Sequence, residues 1–467
     1  MTLKQQIHSW MTGREDEFVE ALAPLIAINS VTGEASEGKP FGPGPAAALD
    51  AALELAEKWG MATSDDEGYV GLVDLNEKED LLHILAHLDI VGAGDHWDTD
   101  PFTLVRDGDL IYGRGTDDDK GPAVAALLAM RCVKELGIPL KGNVKLVLGT
   151  DEESGSKDLA HYYAKHPFAP NSVTPDCCFP VTNIEKAAYA PQFSKNWEPQ
   201  AAAENQLLSL HGGIRVNVAP GNCTAKIRGM SKAAAAALMA ETAQATGVIL
   251  EAEESDGILT IEATGVQAHA SRPKEGKNAI TAMLMLLNRL PLAKDAARKT
   301  VADLYRFFPY GDDYGEALGI AAEDSISGKT TVTLSMLDLD GTGFTARFDS
   351  RDALCATKES TQGVVEKTFG ALGWDCTGNF APGHHVEEDS PFIQILLEAY
   401  EEFSGRKGYC EAIGGGTYVH HIPGGVAFGA GEHDFDSRLH GANERARISQ
   451  LLLTAEIYAA VIVRVCG

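Results

Sequence analysis

The stretch Asp109-Leu110-Ile111-Tyr112-Gly113-Arg114-Gly115-Thr116-Asp117-Asp118-Asp119-Lys120-Gly121-Pro122 puts three carboxylates in a row between a glycine-rich turn and an Ala/Leu-rich run. Adjacent like charges repel, so a fold that gathers them calls for a cation nearby. Upstream, His87-Leu88-Asp89 ends the apolar run 81–86. Downstream, Asp151-Glu152-Glu153 follows the apolar run 143–148. Short continuous apolar runs are expected of strands buried on both faces. Residues 122–136 carry proline in the first turn and Gly137 just past the end, which is the punctuation of a helix. Two strands that deliver His and carboxylates to one edge, with an acidic turn between them, predict a metal site.

Working outward, residues 16–28 and 46–58 read as helices, with a Gly/Pro-rich loop at 38–45. Residues 176–181 read as a further apolar strand, and the βαβ alternation predicts an α/β domain with a largely parallel sheet. Near residue 186 the texture changes. Strand-like alternation is predicted at 214–218 and 224–227, then a helix at 231–246 and a hairpin around Ser255-Asp256-Gly257. A helix at 278–290, strands at 331–334 and 344–348 and a helix at 359–372 complete an α+β segment, whose repeated strand–helix–strand order suggests internal duplication. The α/β texture returns near 386, with a helix at 391–403, a short strand at 426–429 and an amphipathic helix at 442–465. The domain reading is therefore 1–185 and 386–467 as one domain, with 186–385 inserted.

The chain has 467 residues, 44% hydrophobic and 23% charged, with a formal net charge of −28. That balance argues against nucleic acid or an anionic membrane as partner. The polar start has no signal-peptide core, and no run of about 18 apolar residues is evident, so a cytoplasmic protein that spans no membrane is expected. The eight cysteines form no CxxC pair and read as reduced core residues. His83 reads as a core histidine.

Taken singly, His87-x-Asp89 and Glu152-Glu153 are common structural patterns. Together, His-x-Asp after a strand, Gly-Arg-Gly-Thr-x-Asp-x-Lys-Gly, Asp-Glu-Glu, the later Asp176 and a histidine near the C-terminus resemble the M20 family of zinc metallopeptidases. The resemblance covers essentially the whole chain. The long inserted segment and Ile413-Gly414-Gly415-Gly416-Thr417 are most similar to the V-type bacterial dipeptidases, which act on Xaa-His or β-Ala dipeptides.

That resemblance implies two zinc ions, with Mn2+ or Co2+ as alternatives. His87, Asp118 and Asp176 would hold one, and Asp118, Glu153 and His440 the other. Asp118, the sixth residue of the Gly113–Gly121 motif, would bridge them and precede a cis peptide; Asp117 and Asp119 would be polar neighbours. Asp89 would orient the His87 imidazole. Glu152 would be the general base toward a metal-bridging water. His433 and the His420-His421 pair compete with His440 as the last ligand. In the inserted lid, His269 would donate to the oxyanion, Asn217 and Arg347 would hold the substrate backbone and carboxylate, and Gly415, Gly416 and Thr417 would offer backbone groups. The resemblance further implies that aspartate at position 176 would favour substrates with a free N-terminus.

The function so implied is a dizinc dipeptidase acting on small unblocked peptides. The alternatives are an N-acyl amino acid deacylase or carboxypeptidase of the same fold, and a non-catalytic metal- or peptide-binding protein; the base Glu152 argues against the last. A monomer is expected, because a long lid can supply His269 within one chain.

Overall fold

The structure is a computed structural model describing residues 1–467. It divides into two units. Unit 1 comprises Met1–Ile184, His385–Ala412 and Gly416–Gly467, and unit 2 comprises Glu185–His384 and Ile413–Gly415.

In unit 1 the sheet runs Ala62–Asp66, Val70–Asp74, Asn143–Gly149, Asp80–His87, Asn171–Thr174, Val426–Ala427, Val181–Glu185. The centre is parallel, from Asn143–Gly149 through Val426–Ala427. The Val70–Asp74 side and the Val181–Glu185 side are antiparallel. Parallel central strands put their C-terminal ends on one edge, and ligands bind at such an edge. His87 ends one central strand, and the Glu152 and Asp176 loops follow the two strands flanking it.

Helices Glu15–Ile26, Pro43–Lys58 and Lys120–Glu135 stand close to the predicted bounds. Lys120–Glu135 packs on the sheet and on the closing helix. That helix spans Ile448–Cys466 and corrects two expectations. It is long and apolar enough by length and composition to cross a membrane. It is also buried on most faces rather than amphipathic, because it lies within the core that joins Leu127, Leu128, Ile393 and Leu396. A 19-residue helix this apolar, with polar groups only at a few positions such as Ser449, Glu456 and Arg464, belongs in a core when neighbours cover it, as here. The predicted strand at 176–181 is also corrected. The chain is a strand at Asn171–Thr174, breaks, pairs briefly at Cys177–Cys178 and resumes at Val181–Glu185. Pro175 and Pro180 punctuate that run and deny it a continuous hydrogen-bond ladder.

In unit 2 one sheet runs Ile249–Ser255, Ile258–Thr264, Asn222–Arg228, Gln206–Gly212, Thr331–Leu339, Gly343–Asp352, Gln192–Asn196, Asp375–Thr377. The hairpin forms as predicted, with Asp256 and Gly257 both at positive φ, as a two-residue turn between twisted strands requires. The predicted strand at 214–218 is instead a turn after Gln206–Gly212, leading into the short Val218–Ala219 pairing. Helix Ala296–Phe307 was not foreseen. A separate aromatic core around Phe193, Phe344, Phe348, Phe369 and Trp374 holds this unit.

Candidate metal centre

The three loops at the sheet edge meet the acidic turn. His87 Nε2 lies 2.9 Å from Asp118 Oδ1 and 3.7 Å from Asp176 Oδ2. His440 Nε2 lies 2.8 Å from Asp118 Oδ2 and 3.1 Å from Glu153 Oε1. Each Asp118 oxygen thus faces one histidine, as a bridging carboxylate would. Donor atoms of His87, Glu152 and Asp176 lie within 4.8 Å of one another, and so do those of His87, Asp118 and Glu153. The Asp118–Asp119 peptide is cis. His433 pairs with Glu411 at 2.9 Å, and His420 and His421 lie on the turn Tyr418–His421, so His440 is the histidine brought to the cluster.

The donor set fits divalent metal. Four carboxylates (Asp118, Glu152, Glu153 and Asp176) surround two imidazoles in a largely buried space. Burial pushes the Glu152 carboxyl well above its ordinary range, and Glu153, Asp118 and Asp89 add to this against His87. Burial, then Asp118, does the same to Asp176. Burial also acts on Asp118, but hydrogen bonds to His440 and His87 outweigh it and hold its pKa well below the usual range. Burial opposes the charge on His440, yet Asp118 and Glu153 raise its pKa to about 10. Cations in the cluster would relieve this excess of buried negative charge, and mixed imidazole and carboxylate donors suit zinc, manganese or cobalt.

Backbone anchors explain the precision of the cluster. The Asp89 carboxylate accepts the Glu152 and Glu153 N–H groups, each at 3.1 Å. The His87 Nδ1 contact to the Asp89 carbonyl (3.0 Å) is closer than that to its carboxylate (3.4 Å), so Asp89 orients His87 partly through its backbone. Asp119 is more than a polar neighbour: it is fully buried, and Oδ2 accepts the His87 N–H at 3.1 Å. Glu444, four residues past His440, is fully buried and was not singled out in the sequence. Its Oε1 accepts the N–H groups of Gly115, Asp117 and Asp118 at 3.0, 2.9 and 3.2 Å, and its Oε2 meets Arg114 Nη1 at 2.5 Å. No local pattern in the sequence marks it, because its partners lie 326 to 330 residues away.

In unit 2, Val218–Ala219 pairs with Ala268–His269, so the Asn217 carbonyl accepts the Ala270 N–H at 2.8 Å and stands beside the His269 turn. His269 Nδ1 lies 2.7 Å from Ser271 Oγ. Arg347 donates to the Ala190 carbonyl at 3.2 Å. Arg351, on the same face of the same strand, is held by both Asp349 oxygens (2.7 and 2.9 Å) and donates to the Gly414 carbonyl at 2.7 Å. Gly414 in turn packs on Ser271. Arg351 rather than Arg347 is thus the arginine that contacts the glycine run, and its guanidinium is already paired with Asp349. Both positions satisfy a period of two, and only the tertiary structure sets one of them beside the glycine run.

Residues 83–464 match peptidase family M20/M25/M40. The chain is 33% identical over 456 residues to the Bacillus subtilis protein named "Putative dipeptidase YtjP", covering 96% of this chain and 97% of that one. It is 30% identical over 469 residues to "Putative dipeptidase SAB1611c" of Staphylococcus aureus, covering 97% of each. In fold it resembles human carnosine dipeptidase 1 (TM-score 0.59, 15% identity, 100% of this chain and 99% of that one). It also resembles the metallo-carboxypeptidase Sso-CP2 of Sulfolobus solfataricus (TM-score 0.59, 15% identity, 96% and 99%). The chain belongs to the M20 family of peptidases, and it is a hydrolase of peptide bonds.

Proposed function

We propose that this chain is a dipeptidase that uses two divalent ions, zinc by preference, to hydrolyse the peptide bond of unblocked dipeptides. One observation carries the reading: Asp118 offers one oxygen toward each of two histidines, with Glu152 in the same buried cluster. His87, Asp118 and Asp176 would hold one ion, and Asp118, Glu153 and His440 the other. Such ions lower the pKa of water and polarise a carbonyl. Glu152 accepts the proton of the attacking water and returns it to the leaving amine. Asp89 keeps the Glu152 turn and the His87 ring in place. On unit 2, His269 donates to the oxyanion. Asn217 and Arg347 hold the substrate backbone and carboxylate, and Gly415, Gly416 and Thr417 present backbone groups.

The names of the two bacterial relatives support the dipeptide preference. The fold does not set peptide length, because a carboxypeptidase shares it. The test is a panel of free dipeptides, matched tripeptides and N-acetylated dipeptides, each assayed with zinc and after chelation. Zinc-dependent cleavage confined to free dipeptides is expected. Cleavage of the acetylated set would move the protein to the deacylase reading, and no cleavage would favour a binding protein. We further propose a cytoplasmic monomer. All eight cysteines are free, in keeping with a reducing compartment. A dimer by light scattering would overturn the monomer.

A further inference from the structure

We infer that Tyr418 and Asp158 form a positioning pair that aims Glu152. The two are buried at 1% and 0% exposure, and the Tyr418 hydroxyl donates to Asp158 Oδ2. The same oxygen accepts the N–H groups of Thr150 and Asp151 at 2.6 and 2.9 Å. The next two N–H groups, of Glu152 and Glu153, go to Asp89. Two buried carboxylates thus hold four successive amides, and the base sits in the middle of that row. Asp89 belongs to the His87 loop. Asp158 belongs to the helix Lys157–Tyr163, and of the hydrogen bonds to its carboxylate the one from Tyr418 comes from a distant part of the chain.

Residue 149 records how closely the pair is fitted. A Cβ on Gly149 would fall 1.9 Å from the Tyr418 hydroxyl oxygen and 2.5 Å from Asp158 Oδ2. Glycine is required there because the hydroxyl and carboxylate occupy the space a side chain would take. The Tyr418 ring also stands edge-on to His87, with centroids 6.1 Å apart and planes at 88°. Tyr418 directly follows Gly416 and Thr417, the backbone groups proposed to meet substrate. One phenol therefore touches the metal-ligand ring, braces the base turn and anchors the end of the glycine run. Displacement of a catalytic group by a fraction of an ångström slows chemistry more than it weakens binding.

The inference rests on Glu152 acting as the base. Its test compares Tyr418→Phe, Asp158→Asn and the parent on free dipeptides, with Tyr163→Phe as control. The control removes a hydroxyl that meets His83 at 2.9 Å, away from the turn. Tyr418→Phe should lower kcat about tenfold with KM within about twofold. Bound metal should match the parent, and exchange of the Thr150 and Asp151 amides should quicken. Asp158→Asn, which keeps an acceptor, should fall between Tyr418→Phe and the parent. An unchanged kcat in Tyr418→Phe, or a loss that tracks lost metal or equals that of Tyr163→Phe, would overturn the inference alone. A parent inactive on every peptide would overturn the proposed function with it.

Discussion

At the residue scale, two acids in this protein are governed by burial but differ in use. Glu152 sits in the metal cluster, where its proposed role is that of the base. Glu152→Ala should abolish dipeptide hydrolysis, by about a thousandfold or more, while metal content measured by atomic emission stays at the parental level. Persistent turnover would refute the base assignment. Asp352 lies outside the site, fully buried on the Gly343–Asp352 strand, with Ser350 Oγ donating to it at 2.6 Å. Burial, partly offset by Ser350 and Thr330, raises its pKa from 3.8 to about 7. The folded protein therefore keeps a proton that the unfolded chain releases, and stability falls as pH rises from 3.8 through about 7. Asp352→Asn carries no charge to bury. It should be more stable than the parent at pH 8 by a few degrees in Tm, with the gap closing toward pH 4. Parallel melting curves at both pH values would contradict this.

At the element scale, the decisive device is the clamp of Glu444 on the turn before the Lys120–Glu135 helix. Gly115 stands at φ 94° and Gly113 at φ 155°, and Arg114 between them is 1% exposed. The turn is held by side chain rather than by a sheet ladder. The loop that supplies Glu444 also supplies His440, itself at φ 58°. Glu444→Ala would leave the Arg114 guanidinium buried opposite three unpaired N–H groups. Breaking a buried pair in this way costs about 3–5 kcal/mol. A urea titration should show that loss, and the variant should also bind metal more weakly because Asp118 and His440 share the clamp. Parental stability would show that solvent or a neighbour satisfies the turn.

At the scale of the whole molecule, every candidate metal ligand belongs to unit 1, and the two units have separate hydrophobic cores. Ligand that binds only the folded state stabilises the part it binds. Calorimetry should therefore show two transitions, with chelation lowering one and leaving the other in place. A single endotherm that moves as a whole on chelation would argue that the units unfold together. The chain also passes between the units more than twice, since Ile413–Gly415 groups with unit 2. Lys186 N–H and Arg351 Nη1 hold the Ile413 and Gly414 carbonyls at 3.0 and 2.7 Å.

The amino-acid sequence by itself determined what local pattern can encode. The apolar runs ending at His87 and Gly149, the punctuated helix after Lys120 and the turn at Asp256-Gly257 all depend on periodicity or on a residue's own φ. The resemblance to the M20 family, carried by the motifs around His87, Asp118 and Glu152-Glu153, likewise pointed to those residues and to Asp176 and His440. The tertiary structure decided what depends on a distant partner. Whether Arg347 or Arg351 stands beside the glycine run, whether Asp119 and Glu444 are bystanders or anchors, and whether the apolar Ile448–Cys466 helix is core follow from packing across hundreds of residues. A buried polar group must find its hydrogen bonds somewhere in the fold, and where it finds them is a property of the folded chain.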